Sequence, residues 1–247
     1  MPPDRLETLR QVNQNLRSAL ARLRPEKTHC SAIRLQDFSS LLAELLRASE
    51  CLRPGPDSDD TAALEAGFEF MGHGFVQGPM HRLDNQADAI KRAVDTIAKF
   101  AGKPPRSWES PGLTETDETL DLLRLNGIEY VADWVIDDLP QDIATPHGTI
   151  TSIPYSVETN DIVIHALQHL PSEQFLKRCT DQFDRLYLEG ATNARVMAIS
   201  IHPYITGVPH RIKYLEALLD YVIGHDGVAL MTASDIGDWY RAEMSKY

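Results

Sequence analysis

The chain has 247 residues, a formal net charge of −12, 43% hydrophobic and 24% charged residues. That length suits one α/β domain or one domain with an extension, and the composition is that of an ordinary soluble globular protein. The acidic balance argues against nucleic acid, whose phosphates call for clustered Lys and Arg. No run approaches the roughly 18 apolar residues of a membrane span.

The first residues, Met1-Pro2-Pro3-Asp4-Arg5, carry no apolar region, so no signal peptide is expected. Cys30, Cys51 and Cys179 form no CxxC and make an odd count, which favours a reducing cytoplasm over a disulfide framework. Residues 4–24 read as an amphipathic helix, with Leu6, Leu9, Val12, Leu16, Leu20 and Leu23 at helical spacing and Arg24-Pro25 as the stop. Residues 29–35 suit a short strand. Residues 38–52 form a second leucine-rich helix ending at Arg53-Pro54-Gly55, and 54–60 read as a linker. The leucine faces of both helices need cover, which predicts self-association into a homo-oligomer.

From Ala62 the pattern becomes regular. Gly67-Phe68-Glu69-Phe70-Met71-Gly72-His73-Gly74 alternates like a strand, with Phe68, Phe70 and Gly72 on one face, and then delivers a histidine between two glycines. A long helix follows from about Asp84 to Phe100, closed by Ala101-Gly102. Residues 106–109 make a brief strand before Ser110-Pro111-Gly112. Thr116 is expected to cap a helix through Leu125, and residues 128–134 form a strand leading to the acidic loop Asp137-Asp138. Residues 149–155 form another strand, and a helix capped by Ser172 runs to about Gly190. Residues 195–201 read as a buried strand ending in His202-Pro203-Tyr204. A helix over 209–223, a short strand over 228–231 and a last helix from Ser234 complete the chain.

Strand alternating with helix implies parallel strands joined by crossover helices, in a barrel or an open sheet. Neither GxGxxG nor GxxxxGK[ST] is present, so nucleotide-binding motifs are absent. In such folds the loops after the strands share one face. Reading those ends in order collects His73 and Gln77, then Trp108 and Glu109, then Trp134, Asp137 and Asp138, then Tyr155, Glu158, Asn160 and Asp161, then His202 and Tyr204. Two histidines with several carboxylates suit proton transfer, water activation or metal binding. No GxSxG elbow or paired cysteine suggests covalent catalysis. Gln77 rather than a second histidine stands four residues after His73, so the spacing gives zinc no support.

The stretch from about Gly67 to Tyr240 resembles the polysaccharide-deacetylase (NodB-like) superfamily, nearest to the branch with metal-independent allantoinases and related cyclic-imide hydrolases. The matching pieces are Gly72-His73-Gly74 with Gln77, and Ser110-Pro111-Gly112-Leu113-Thr114-Glu115-Thr116. They continue with Tyr130-Val131-Ala132-Asp133-Trp134 with Asp137-Asp138, Ile153-Pro154-Tyr155-Ser156 with Asn160-Asp161, and Ser200-Ile201-His202-Pro203-Tyr204 with Pro209-His210-Arg211. The fold this implies is α/β, a distorted, incomplete (β/α) barrel over residues 56–247 with an N-terminal helical segment over 1–55. Deacetylases of the superfamily also carry an N-terminal strand with an aspartate pair and a His-x-x-x-His pair. Here Gln77 replaces the second histidine, and Glu109 stands where an arginine is common.

The resemblance implies a hydrolase of non-peptide carbon–nitrogen bonds, opening the ring of a small cyclic amide or ureide without a metal. His202 would transfer a proton, Asp138 or Glu109 would orient water or bind substrate N–H groups, and His73 with Gln77 would polarise or position the carbonyl. Asp137 and Tyr204 are assigned to substrate binding. Trp108, Trp134 and Tyr155 join them, with core packing the alternative for these three. No cofactor is expected, with a metal at His73 left open. The partner is a small-molecule substrate, with no nucleic acid and no membrane. Two other readings stand beside this one: a degenerate, non-catalytic binding or scaffold protein, and a metal-dependent polysaccharide deacetylase.

Overall fold

The structure is a computed structural model that describes residues 63–64 and 68–245. The expected helices over 4–24 and 38–52, the strand over 29–35 and the linker over 54–60 lie outside the described residues. Within them, residues 156–230 form one compact unit, and residues 63–155 with 231–245 form another.

The second of these units holds the sheet, in the order β1-β2-β4-β3. Strands β1 (Ser107–Trp108), β2 (Tyr130–Val131) and β4 (Gly148–Ser152) pair in parallel, while β3 (Gln141–Thr145) runs antiparallel to β4. Ile128, Tyr130, Val131 and Ala132 are all fully buried, as expected of a parallel strand covered on both faces. Of the strand expected over 67–72, the described residues show a parallel bridge between Gly72 and Trp108. Its backbone bonds run from Gly72 N–H to Ser107 O and from Glu109 N–H to Gly72 O, both 2.9 Å. β3 has no counterpart in the sequence reading. Its one sizeable apolar residue is Ile143, and its register comes from the β4 partner.

Helix α1 (Gln86–Ala101) starts where the Asn85 side chain accepts from Asp88 N–H and ends at left-handed Gly102. It buries Ile90, Ala93 and Val94, three residues of one face. They join Met80, Trp108, Leu123, Ile128, Val131 and Ile150 in one core. Helix α2 (Thr119–Leu125) begins after Glu118, with no side-chain cap. Thr116 does not cap it as expected. Its N–H instead donates to the Thr119 hydroxyl, at 2.8 Å.

In the unit of residues 156–230, a π-helical turn over Ile162–Leu167 precedes α3 (Glu173–Gly190), α4 (Pro203–Thr206) and α5 (Ile212–Ile223). Helix α3 buries Phe175, Cys179, Phe183 and Leu186, and α5 buries Ile212, Leu215, Leu218, Leu219 and Val222. Ser172 precedes α3 without a side-chain cap bond. The stretch expected as a strand over 195–201 is buried from Val196 to Ile201, and among the described residues it pairs through a parallel bridge from Ser200 to Asn160. Over 228–231, Ala229 is a bridge residue, and no strand ladder forms there with the described residues.

Helix α6 (Ala233–Met244) belongs to the sheet unit. A capping box joins Thr232 and Asp235. The Glu69 carboxylate accepts from Ser234 N–H at 3.1 Å, from the Ser234 hydroxyl at 2.5 Å and from the Ser107 hydroxyl at 2.8 Å. Further along, Gly237 lets the helix lie on the Tyr130 ring, since a Cβ there would sit 2.1 Å from a ring carbon. The Tyr130 hydroxyl donates to Asp238 at 2.6 Å, and Arg106 donates twice to Asp238 and once to Glu129. Arg241 donates to Glu129 from the other side, at 2.6 Å.

Arg106 thereby holds Asp238 down at about 2, and also depresses Glu129. Depressed carboxylates contribute stability that is complete above their ordinary range and is lost as pH falls toward 2. The groups are partly exposed, so water screens much of the effect. Arg106→Ala is expected to cost about 1 kcal/mol in urea unfolding at neutral pH and to flatten the acid limb of the stability curve. An unchanged acid limb would contradict this reading of the network.

Candidate functional site

The unit of residues 156–230 builds one polar cluster. The Asn160–Ser200 bridge is closed by Asp161 N–H donating to Ser200 O at 3.0 Å, which sets Asp161 beside the end of the buried 196–201 stretch. Pro203 opens α4 and His202 stands just before it in extended conformation, a favoured entry for a helix. Asp161 is fully buried. One of its oxygens meets His202 Nδ1 at 2.6 Å, and the other accepts from His202 N–H at 2.7 Å and from the Thr206 hydroxyl at 2.6 Å. A carboxylate so placed fixes the His202 tautomer with the proton on Nδ1, so proton exchange falls to Nε2. The imidazole is only 13% exposed, and the Tyr204 ring lies edge-on to it at 5.6 Å.

The sheet unit builds another cluster at the C-terminal ends of β1 and β2. His73 is buried, and its Nδ1 donates to Glu109 O at 2.7 Å, leaving Nε2 toward the Gln77 amide nitrogen at the long distance of 3.5 Å. Glu109 is also buried, following β1. The next residue, Ser110, is held by Asp133 after β2: its N–H donates to one carboxylate oxygen at 2.5 Å and its hydroxyl to the other at 2.8 Å. Ser110 Oγ in turn accepts from the Trp108 indole at 3.1 Å.

Trp108 is fully buried in the core, so packing rather than stacking on a ligand is what its surroundings support. Tyr155 is buried as well. Trp134 is 44% exposed and begins an open Trp134-Val135-Ile136 run. Asp137 and Asp138 follow it in the loop, where Asp137 accepts from Asp138 N–H at 2.7 Å. The structure thus brings His73, Gln77 and Glu109 together in one unit, and His202 and Tyr204 together in the other.

Asp161, Asp133, Ser110 and Glu115 lie within the sequence motifs, which assign them no individual role. Asp161 and His202 are 41 positions apart and Asp133 and Ser110 are 23 apart, so local spacing carries no sign of either contact. Among the described residues no three metal-ligating side chains gather. Four residues on from His73, the Gln77 amide, a poor zinc ligand, lies 3.5 Å from its Nε2.

No protein-family model matches the chain. It is 27% identical over 177 residues to a Schizosaccharomyces pombe protein named as a polysaccharide deacetylase, an alignment covering 65% of this chain and 55% of that protein. It is 24% identical over 209 residues to the Helicobacter pylori peptidoglycan deacetylase, covering 71% of each. The chain therefore spans little more than half the length of the fission yeast relative.

Among solved structures, one from Pseudomonas aeruginosa named as a polysaccharide deacetylase aligns with a TM-score of 0.76 at 26% identity. It covers 95% of this chain and 75% of that one. An allantoinase aligns at 0.75 and 21% identity, covering 96% and 76%. Sequence relatives and structural neighbours agree on the polysaccharide-deacetylase (NodB-like) superfamily, and the fold is of that α/β type.

Proposed function

We propose that the chain is a hydrolase of carbon–nitrogen bonds other than peptide bonds, of the polysaccharide-deacetylase type. The observation that carries this is the buried Asp161 carboxylate on His202 Nδ1, which directs proton transfer to Nε2. The relatives' names supply the reaction class. In amide hydrolysis water adds to the carbonyl carbon, the C–N bond breaks, and the departing nitrogen needs a proton. His202 Nε2 accepts a proton as water attacks and returns it to that nitrogen.

The other assignments belong to the same proposal. Glu109 or Asp138 binds substrate N–H groups or orients water, since a carboxylate meets two parallel donors well. His73 with Gln77 positions the carbonyl, and Trp134, Asp137 and Tyr204 contact substrate. For the substrate we favour a small cyclic amide or ureide opened without a metal. Gln77 and Glu109 depart from the deacetylase pattern, and the allantoinase fold likeness is compatible with that choice. An N-acetylated sugar is the second reading, favoured by the names of the sequence relatives. Self-association of the chain in the cytoplasm completes the proposal.

A hydrolysis panel separates the two substrates. Allantoin, hydantoin, dihydropyrimidines and succinimide stand on one side and N-acetylglucosamine oligomers on the other, each with and without a chelator. Chelator-resistant ring opening supports the favoured reading. Chelator-sensitive acetate release supports the second and overturns the first.

A further inference from the structure

Helix α4 is a single turn of chain, and His202 stands at its head. The His202 carbonyl accepts from the Ile205 and Thr206 N–H groups, and the Pro203 carbonyl accepts from Gly207 N–H, all at 2.9 Å. One turn does not hold itself in water, because its few bonds do not offset the dihedrals they fix. It has to be held from outside. At the His202 end the hold is Asp161, which takes His202 N–H, His202 Nδ1 and the Thr206 hydroxyl.

At the other end stands Arg211. The chain turns back after α4, and Arg211, the residue before α5, donates from Nη1 to the Ile205 carbonyl at 3.2 Å. The last carbonyls of a helix have no partner within it, and a basic side chain can take one up. Arg211 acts from a firm base: its N–H donates to Val208 O and its carbonyl accepts from Tyr214 N–H, both at 2.9 Å. Ile212 and Leu215 beside it are buried. Its Nε is cut off from water and meets no acceptor. Such an unmet donor works against folding, and an aliphatic side chain would leave none. What the guanidinium adds over an aliphatic stem is the bond to Ile205.

We propose that Arg211 is a positioning residue for His202. By holding the Ile205 carbonyl it locks the α4 turn, and the turn keeps the imidazole on Asp161 with its proton on Nδ1. The effect on turnover rests on the proposed hydrolase function, whereas the hold on the imidazole does not. The path between them is short. Ile205 and Thr206 both donate to the His202 carbonyl, and the Thr206 hydroxyl shares one Asp161 oxygen with His202 N–H. A turn that frays at Ile205 therefore loosens Thr206 and His202 from Asp161 together.

Long-range 1H–15N NMR of the histidine rings tests this, because the two imidazole tautomers differ at both nitrogens. The His202 signals are assigned by their loss in His202→Ala. The wild type is expected to show the Nδ1–H tautomer alone. Arg211→Met keeps an apolar stem and removes both the bond and the unmet donor, so it should fold and show a mixture of tautomers. On any amide the wild type hydrolyses, its kcat should fall roughly 10- to 100-fold at nearly unchanged KM, since Arg211 meets the turn and not the substrate. Arg211→Lys, which can still donate to Ile205 O, should restore the single tautomer. A wild-type tautomer in folded Arg211→Met would overturn the proposal, and so would a mixture in the wild type itself. Should Arg211→Met not fold, Arg211→Gln gives the same reading, because its amide ends two bonds short of Nη1. The NMR readout needs no substrate. A tautomer that responds to Arg211 in a protein silent on every amide would sink the functional proposal alone, and an active enzyme whose tautomer ignores Arg211 would sink this one alone.

Discussion

Asp161→Asn is expected to fold, to retain its contacts with substrate, and to lose turnover by roughly 10²- to 10⁴-fold. Asp161 accepts three hydrogen bonds from a fully buried position: one from His202 Nδ1, one from His202 N–H and one from Thr206. An asparagine of nearly the same shape can keep the backbone and Thr206 contacts with its oxygen. Its NH2 then faces Nδ1 and demands an acceptor there, which moves the imidazole proton to Nε2. The nitrogen that must receive a proton would already carry one. The loss should therefore fall on kcat with little change in KM, and a steady-state comparison with the wild type reads that split. A variant with wild-type kcat would mean that Asp161 is only a structural anchor. Asp161→Ala is a poorer probe, because it leaves the His202 N–H and the Thr206 hydroxyl without partners, at about 1–3 kcal/mol each.

Gly72→Ala should cost about 3 kcal/mol or more, the upper end of what overpacking a core brings. A Cβ on Gly72 would lie 2.2 Å from Trp108 Cε3 and 2.7 Å from Cζ3. Neither side can withdraw. The Gly72 backbone is tied to Ser107 and Glu109 by two 2.9 Å bonds, and the indole is fully buried with its N–H on Ser110. The strain also reaches His73, the next residue, whose ring is bonded to Glu109 O. Urea unfolding of the variant should show a midpoint well below that of the wild type at an unchanged slope. An unshifted midpoint would show that Trp108 has room to move, and that the glycine is not required by close approach.

Helices were legible where one face decides them. The period of Ile90, Ala93 and Val94, with Asn85 before and Gly102 after, placed α1 within two residues. Extended segments were legible as buried chain, though not as paired strands. Residues 68–72 and 195–201 have the right apolar character, but among the described residues each pairs through one bridge, and pairing depends on a neighbour that the segment's own residues do not specify. β3 was missed for the converse reason: Gln141, Asp142 and Thr145 give it a polar face, and the hairpin partner β4 is what makes it a strand.

Within the candidate site, the sequence marked the turns after the strands. It gave no role to the side chains that hold those turns in place. Glu109 and His202 could be picked out as lone polar residues at strand ends. Asp133 and Asp161 behind them act only through contacts distant in the chain, and a buried carboxylate looks, in sequence, like any other acid.

The measurement that bears most directly on the account is turnover of the C–N substrate panel by the wild type beside His202→Ala, with both proteins shown to be folded by circular dichroism. The account predicts hydrolysis of at least one amide by the wild type and a fall of at least about 100-fold in the variant. Equal turnover by the two proteins would remove His202 from the chemistry. A folded wild type silent on every substrate would contradict the hydrolase reading and leave the deacetylase-type fold as a binding scaffold.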